Sequence, residues 1–351
     1  MELDAQIGGQ ERRLNLSVSS FPVAANDDRS NSGLFSKPKV FKEIKAKDLP
    51  VLQAQLNLMA KDTHDPFAQS AAYFGMTGRN GLWIYGNDTG FVLMARHPND
   101  ENAVLVFPPY GDATTNTVKE AMSHRRFPEG NVELARANPS NKTQYREQLT
   151  SGKIPHDFQT KLDWAQPVHL VSALEIVERD GPEFRQLRQN FNKAVREKLS
   201  AQEISTKEHI EDVKEIVRRW AEQDDKPGYS REDLMTPTES LLQLMKREIP
   251  VSISGVVVHD AEKQPIGFWI WHETEDKVAM SLARVSIGHL DGIKGSAEFG
   301  AVKMAEILKA RGVTEICLGG SETESLDAFK QKLNPYRSMR LSSLSIRRHD
   351  Q

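Results

Sequence analysis

Apolar residues in the second half of the chain recur at helical spacing in some segments and form strand-like runs in others. The segment 210–222 places Ile210, Val213 and Val217 on one helical face. The other predicted elements of this half are helices at 183–198, 238–247 and 296–311 and strands at 168–177, 251–259, 265–272, 277–285 and 315–318. Three consecutive strands followed by a long helix and another strand predict an α/β (α+β) domain, in which helices flank a mixed, mostly antiparallel sheet.

The first half repeats the order of strand, helix and further strands. The predicted elements are a strand at 40–44, a helix beginning after Asp48, a hairpin formed by 81–86 and 90–95, and a strand at 103–107. The polar segment at the N-terminus lacks sustained periodicity and is predicted to be a flexible arm. The predicted parts are the arm at 1–37, an N-terminal domain at 38–165 and a C-terminal domain at 166–351. No residue-level repeat relates the two domains, so the tandem arrangement depends on element order alone.

Composition narrows the classes of function. The 46 basic and 49 acidic residues leave a net charge of −3, so bulk electrostatic attraction to nucleic acid or anionic lipid is not expected, although a local basic face is compatible with it. The single cysteine, Cys317, lies in an apolar stretch and is expected in the core. Without a disulfide framework, a signal peptide or an apolar run of about 18 residues, the chain is expected to be cytoplasmic and free of membrane segments.

A double glycine after the last predicted strand is the strongest candidate for a reactive site. Gly319, Gly320 and Glu322 follow the strand, and Lys330 and Lys332 lie on the short helix that comes next. Two glycines allow the backbone to turn sharply or to approach a ligand closely. A lysine at the end of a sheet could bind a phosphate or stabilise an oxyanion. The two lysines cannot share one face of an ideal helix, so one is expected to point inward and the other to solvent.

A basic helix forms the second motif. Arg185 and Arg188 are three residues apart, Asn192 extends their face by a turn, and Lys193 follows it. Arginines on one face suit bidentate contact with the phosphates of a nucleic acid. A solvated helix surface is the alternative.

The two motifs, in this order and spacing, resemble the catalytic domain of phosphatidylglycerol lysyltransferases and their soluble relatives among the Fem-type aminoacyltransferases. The resemblance covers about residues 166–348. It implies tandem GNAT-like domains, the first of them degenerate, and transfer of an aminoacyl group from charged tRNA to an amine or hydroxyl acceptor. It also implies that Lys330 or Lys332 is the active-site lysine, that the basic helix anchors the donor, and that no cofactor is tightly bound. The best-known members carry an integral-membrane domain, whereas no membrane segment is predicted here, so a lipid acceptor is not expected. The acceptor classes that stay open are a peptide, a small metabolite and a modified nucleic-acid base.

A competing motif precedes the predicted helix at 296–311. Acyl-coenzyme A enzymes of this fold place an arginine or glutamine, two residues, and then Gly-x-Gly or Gly-x-Ala at such a helix N-terminus, where backbone amides hold the pyrophosphate. Gly295, Ser296 and Ala297 match the second part, but Gly292 stands in place of the arginine or glutamine. An acyl-CoA-dependent N-acyltransferase is therefore the alternative enzyme. A glycine loop with Ser296 as helix cap is the structural alternative.

Several other residues are candidate pocket groups. Strand alternation places Trp269 and Trp271 on one face, where they could form an aromatic wall for a nucleobase or aminoacyl side chain; core packing is the alternative. Arg284 and Glu298 are further candidates. The histidines lack metal-ligand spacing, so no metal site is predicted. A third class, a non-catalytic protein that uses the same fold to bind RNA or a peptide, would need these residues for affinity alone.

Overall fold

The computed structural model describes residues 38–60, 65–150, 156–162, 166–223, 231–246, 251–321 and 323–348. The strands of the first half are β1 (Val40–Glu43), β2 (Leu82–Gly86), β3 (Gly90–Arg96), β4 (Ala103–Val106), β5 (Tyr110–Gly111), β6 (Asn131–Ala137) and β7 (His156–Leu162). Its helices are α1 (Leu49–Met59), α2 (Ala71–Thr77), α3 (Thr115–Ser123) and α4 (Pro139–Thr150). The predicted hairpin is confirmed: β2 and β3 are antiparallel, and the side-chain oxygen of Asn87 accepts a hydrogen bond from the backbone N–H of Gly90 at 3.1 Å in the turn.

The second half continues with a similar succession of elements. Its strands are β8 (Val168–Ser172), β9 (Ser200–Glu203), β10 (Ile253–His259), β11 (Pro265–Glu273), β12 (Val278–Ser286), β13 (Glu315–Cys317), β14 (Arg337–Met339) and β15 (Ser342–Arg348). Its helices are α5 (Ala173–Glu178), α6 (Arg185–Arg196), α7 (Lys207–Ala221), α8 (Arg231–Lys246), α9 (Ser296–Ala310) and α10 (Glu324–Gln331).

Two mixed sheets form the framework, which confirms the predicted fold class. The first has the order β1-β2-β3-β4-β6-β15-β7, with β5 beside β3, and the second has the order β14-β8-β13-β12-β11-β10-β9. Each contains one parallel pair, β4 with β6 and β12 with β13, among antiparallel neighbours. In both halves an antiparallel meander is followed by a helix and a strand parallel to the last strand of the meander. The two sheets belong to one compact unit.

The two halves of the chain exchange one strand each. β15, at the end of the sequence, lies in the first sheet between β6 and β7. The equivalent place in the second sheet, between β13 and β14, is taken by β8, the strand that follows the first half. The ladder thus assigns 342–348 to the first sheet, although the predicted boundary at 165/166 placed these residues in the second domain. The partition into two domains stays a prediction.

The larger core lies on the second sheet, where α7 and α9 pack against β11. Trp269 illustrates how tightly these layers fit. A Cβ on Gly300 of α9 would lie 2.0 Å from the Trp269 ring, so only glycine lets the helix approach the strand this closely. No helix in the described ranges is both long and apolar enough to cross a membrane.

Candidate active site

The second sheet opens where the ladder between β12 and β13 ends. These parallel strands pair only from Val278–Glu315 to Met280–Cys317. β12 continues to Ser286, whereas the chain after β13 turns away and forms an isolated bridge between Ser321 and Gln166. The predicted double glycine, Gly319 and Gly320, lies at this point, and Gly319 adopts the left-handed conformation with φ of 71°. A break in a ladder exposes backbone groups that a ligand can use.

Lys330 is directed into the glycine loop. Its side chain is buried, with 1% of the residue exposed, and its Nζ donates hydrogen bonds to the carbonyl oxygens of Gly319, at 2.8 Å, and Gly320. Burying an ammonium group is costly unless hydrogen bonds compensate. Lys330 therefore fixes the two carbonyls of the loop, and its charge lies beneath the surface of the site.

Lys332 is the more accessible of the two lysines. Its Nζ lies 2.8 Å from Glu298 Oε1 and 6.0 Å from the centre of the Phe329 ring. The same Glu298 oxygen accepts a hydrogen bond from Asn190 Nδ2 at 2.7 Å. Glu298 is buried in the first turn of α9, so the carboxylate links α6, α9 and the end of α10. One lysine inward and one partly exposed is the arrangement expected from the sequence.

Arg284 is a second cation beside Phe329. It lies on the part of β12 beyond its pairing with β13, and its guanidinium carbon is 5.3 Å from the centre of the Phe329 ring. Two cations therefore lie within about 6 Å of the Phe329 ring, Arg284 from the sheet and Lys332 from the segment that carries Phe329. Two cations beside the end of a ladder can stabilise negative charge that develops on a bound carbonyl or phosphate.

A side chain from the first half of the sequence, Phe67, packs beside the glycine loop. A Cβ on Gly319 would lie 3.3 Å from Phe67 Cζ. Phe67 is held in turn by Arg136, whose guanidinium lies 5.2 Å from its ring and forms a buried ion pair with Asp65. This support was not predictable from the sequence, because Asp65, Phe67 and Arg136 are distant from the glycine loop in the chain and belong to no recognised motif.

The basic helix α6 presents three of its predicted residues to solvent. Arg185, Asn192 and Lys193 are exposed, as is Arg196 on the next turn. Arg188 has a different environment: its Nη1 donates to the carbonyl oxygens of Gly181, at 2.7 Å, and Arg179. This nitrogen holds the loop before α6, and the phosphate contact predicted for Arg188 stays a prediction.

Gly295 is required for the packing of α6 against the loop before α9. A Cβ there would lie 2.2 Å from the carbonyl oxygen of Asn190, and its φ is 86°. Gly295 itself is the N-cap of α9, so the alternative in which Ser296 caps this helix is wrong, although the glycine loop is present. The Ser296 hydroxyl instead lies 2.7 Å from the Ser286 hydroxyl. The glycine accommodates a neighbouring helix at the place where a coenzyme A pyrophosphate would need open backbone amides.

The predicted aromatic wall is wrong. Trp269 and Trp271 are 2% and 0% exposed and pack in the core of the second sheet, so neither ring face is open to a ligand. Core packing, the alternative considered for them, describes both residues. Glu322 lies outside the described residues.

Two other reactive side chains are held in unreactive forms. Burial raises the pKa of the Cys317 thiol to about 12, which keeps it protonated near neutral pH. Burial lowers the pKa of His272 to about 3, and its Nδ1 lies 2.9 Å from the Ser70 hydroxyl. Both residues are structural. No group of three or more metal-ligating side chains occurs among the residues that the structure describes.

Comparison with known proteins gives one family and a consistent fold. The family described as "Phosphatidylglycerol lysyltransferase, C-terminal" matches residues 62–341. The structure of L-PGS from Bacillus licheniformis has a TM-score of 0.60 at 14% identity, covering 88% of this chain and 94% of that chain. FemX has a TM-score of 0.58 at 12% identity, covering 87% of this chain and 96% of that one.

A further structure shows the tandem arrangement. A tandem GNAT protein from the clavulanic acid biosynthesis pathway has a TM-score of 0.51 at 12% identity, covering 90% of this chain and all of that one (100%). At such identities these likenesses concern the fold, which is tandem GNAT-like. A search of curated proteins gave no match.

Proposed function

The chain belongs to the phosphatidylglycerol lysyltransferase C-terminal family, and on that premise we propose that it transfers an aminoacyl group from aminoacyl-tRNA to an amine or hydroxyl acceptor. The observation that carries this proposal is the pair of cations, Arg284 and Lys332, that both lie near the Phe329 ring beside the end of the β12–β13 ladder. The acceptor classes are a peptide, a small metabolite or a modified nucleic-acid base. The reaction belongs in the cytoplasm, where charged tRNA is found.

The chemistry needs little beyond alignment and charge stabilisation, because an aminoacyl ester is already activated. Attack by the acceptor turns the ester carbonyl into an oxyanion, and the 3′-hydroxyl end of the tRNA leaves with a proton. Holding the two reactants in line can contribute about 7–11 kcal/mol. The protein must also supply hydrogen-bond donors at the position where the oxyanion forms, which stabilises the transition state more than the bound substrate.

Lys332 is the donor that we assign to the oxyanion. An ammonium group has three N–H donors, and Glu298 takes one of them at 2.8 Å. Glu298 also fixes the direction of the side chain, because its own position is set by Asn190. Arg284 supports the same charge from β12. Lys330 does not contact the substrate in this proposal. It binds the carbonyl oxygens of Gly319 and Gly320 and so keeps them turned away from the developing negative charge.

The donor tRNA is assigned to the exposed side of α6. Arg185, Lys193 and Arg196 provide three exposed positive charges there, and Asn192 an amide for hydrogen bonding. Asn190, on the same helix, contacts Glu298 beside Lys332. A tRNA end that follows this helix would thus lead its aminoacyl ester toward Lys332. Arginine and lysine side chains suit phosphate contacts of this kind.

The test compares binding and transfer in one preparation. Full-length protein is mixed with bulk tRNA charged with labelled amino acids, with uncharged tRNA, or with labelled acetyl-coenzyme A, and retention on a filter is measured. We expect saturable retention of charged tRNA, with transfer of label to a pool of amine and hydroxyl acceptors. Lys332→Gln should retain the charged tRNA and lose transfer. Retention of coenzyme A alone would contradict the proposal and favour the acyl-CoA-dependent alternative.

A further inference from the structure

A second group of reactive side chains lies on the outer strands of the second sheet. Ser338 of β14 is paired directly with His169 of β8, so their side chains lie on the same face of the sheet. Ser338 Oγ is 2.7 Å from His169 Nδ1, and His169 Nε2 is 2.7 Å from Asp327 Oδ1 on α10. The three residues form a continuous chain of hydroxyl, imidazole and carboxylate.

The hydrogen-bond chemistry fixes the direction of this chain. An ionised carboxylate only accepts hydrogen bonds, so in the neutral imidazole the proton lies on Nε2 and is donated to Asp327. Nδ1 then carries a lone pair and accepts the hydrogen bond of the Ser338 hydroxyl. This is the tautomer that a general base for a serine nucleophile requires, with the roles of the two ring nitrogens reversed from the serine-protease arrangement.

The residues of this hydrogen-bonded series differ in how far they are buried. His169 is 0% exposed, so its ring cannot rotate freely, and its partner Asp327 is only partly exposed, at 18% of its side chain. Ser338 is exposed at the outer strand. The side-chain amide nitrogen of Gln331 lies 3.4 Å from Asp327 Oδ2 and 3.4 Å from His169 Nε2, both longer than the 2.7 Å between His169 Nε2 and Asp327 Oδ1. The reactive end is therefore open to substrate while the base and the group that orients it are held in place.

We propose that Ser338, His169 and Asp327 form an esterase site that hydrolyses carboxylic esters through an acyl-serine. Ser338 Oγ bonds to the ester carbonyl carbon while its proton moves to His169 Nδ1. The alcohol leaves as the carbon–oxygen ester bond breaks and takes this proton. Water then attacks the acyl-serine and gives a proton to Nδ1, which returns it to Ser338 Oγ as the carboxylic acid departs. One ester and one water yield one acid and one alcohol.

This activity does not depend on the transfer proposed above, because it uses none of Arg284, Lys330 and Lys332. Ser338→Ala should therefore abolish ester hydrolysis and leave aminoacyl transfer unchanged. Lys332→Gln should reduce aminoacyl transfer and leave ester hydrolysis unchanged. Measuring both activities in both variants thus shows which of the two proposals fails.

The experiment treats the folded full-length chain with a fluorophosphonate probe, in which the serine oxygen displaces fluoride from phosphorus. Peptide mass mapping locates the label, and hydrolysis of p-nitrophenyl acetate is followed in parallel. We expect one label per chain on Ser338 and its loss in Ser338→Ala. Asp327→Asn, which keeps the side-chain shape, should lower the labelling rate at least about tenfold because the ring loses its orienting carboxylate.

Ser325→Ala is the matched control, since Ser325 is an exposed serine on α10 whose hydroxyl partner is Thr323. It should be labelled on Ser338 at the wild-type rate. Ser338 lies on an outer strand, so Ser338→Ala should fold, as its circular dichroism and thermal midpoint would show. Absence of label on Ser338 in the wild-type protein, or a labelling rate that Asp327→Asn does not change, would overturn the proposal.

Discussion

Residues two positions apart on one segment have different environments in the candidate site. Lys330 Nζ binds two backbone carbonyls in the interior, and Lys332 Nζ binds a carboxylate near the surface. Both follow from the position of α10, because successive helical residues point in directions about 100° apart. An interior lysine with carbonyl partners determines the shape of the loop, and a partly exposed one can reach a substrate.

Replacing Lys332 by glutamine should lower the rate of aminoacyl transfer by about 10²–10³-fold, equivalent to about 2.7–4 kcal/mol, because an oxyanion donor is lost. The thermal midpoint should change by only a few degrees, since the side chain is partly exposed. Single-turnover transfer from charged tRNA gives the rate, and differential scanning calorimetry gives the midpoint. Lys309→Gln, in an exposed ion pair on α9, is the control. Wild-type transfer by Lys332→Gln would remove Lys332 from the mechanism.

Replacing the buried His272 should reduce the dependence of stability on acid pH. Its folded pKa of about 3 lies below the usual value of about 6.5 for an unfolded chain, so its contribution is complete above about pH 6.5. That contribution is lost as the pH falls toward 3, at about 1.4 kcal/mol per pH unit, because the unfolded state binds the extra proton.

Urea unfolding at pH 7 and pH 5 measures this difference. The wild-type protein should lose more stability between the two values than His272→Gln does. His289→Gln, which changes an exposed histidine, should retain the wild-type pH dependence. Equal pH dependence in the wild-type protein and His272→Gln would show that His272 titrates normally in the folded state.

At the scale of the elements, long periodic segments were predictable and contacts between elements were not. The helix α7 and the strands β10, β11 and β12 lie close to their predicted positions, because each buries one continuous apolar face or run. The segment 168–177 was predicted as one strand, but Ser172 caps α5 by accepting a hydrogen bond from the Glu175 N–H, so the strand ends there.

The candidate site could be predicted only as far as its motifs. The glycine loop and the two lysines were found, because glycine pairs and charges in an apolar context are visible along the chain. The supporting residues were not, because Phe67 and the Asp65–Arg136 pair reach the loop from the other half of the sequence. Arg188 and the two tryptophans have residue types that suit ligands, yet the structure uses them for internal contacts.

The assignment of the donor tRNA to the exposed face of α6 can be tested by reversing the charges on that face. Changing Arg185, Lys193 and Arg196 together to glutamate should weaken retention of charged tRNA and reduce its dependence on salt. Each lost phosphate contact lowers the slope of log affinity against log salt by about 0.7–0.9, so a reduction of about two to three is expected. The measurement is filter retention at several salt concentrations.

The control for this variant changes the same number of charges elsewhere. Arg125, Lys263 and Lys277 are exposed and lie outside α6, and their replacement by glutamate should leave the slope near the wild-type value. If both triple variants lowered affinity equally, the binding would follow net charge and not a surface on α6. Arg188→Ala belongs to neither set, because loss of its bonds to the preceding loop should reduce stability.

At the scale of the whole molecule, the exchanged strands make each sheet depend on both halves of the sequence. β15 is the strand between β6 and β7, so without it those two strands have no neighbour on that side in the described ladder. Its Leu344 and Ile346 are buried in the core of the first sheet. An interior strand contributes both hydrogen bonds and apolar contacts, so neither half is expected to be stable alone.

Separating the chain at the predicted boundary tests this dependence. Residues 38–165 expressed alone should fail to give a cooperative thermal transition, because β15 is missing from the middle of their sheet. Co-expression with residues 166–351 should restore a soluble complex that unfolds in one transition, since both exchanged strands are then present. Size-exclusion chromatography and calorimetry of the fragments measure these outcomes.

In the co-expressed pair, Leu344→Ala should lower the free energy of unfolding by about 2–5 kcal/mol because it removes a fully buried side chain. A fragment 38–165 with its own cooperative transition would show that β15 is dispensable, and that the two sheets are joined by the exchange without depending on it.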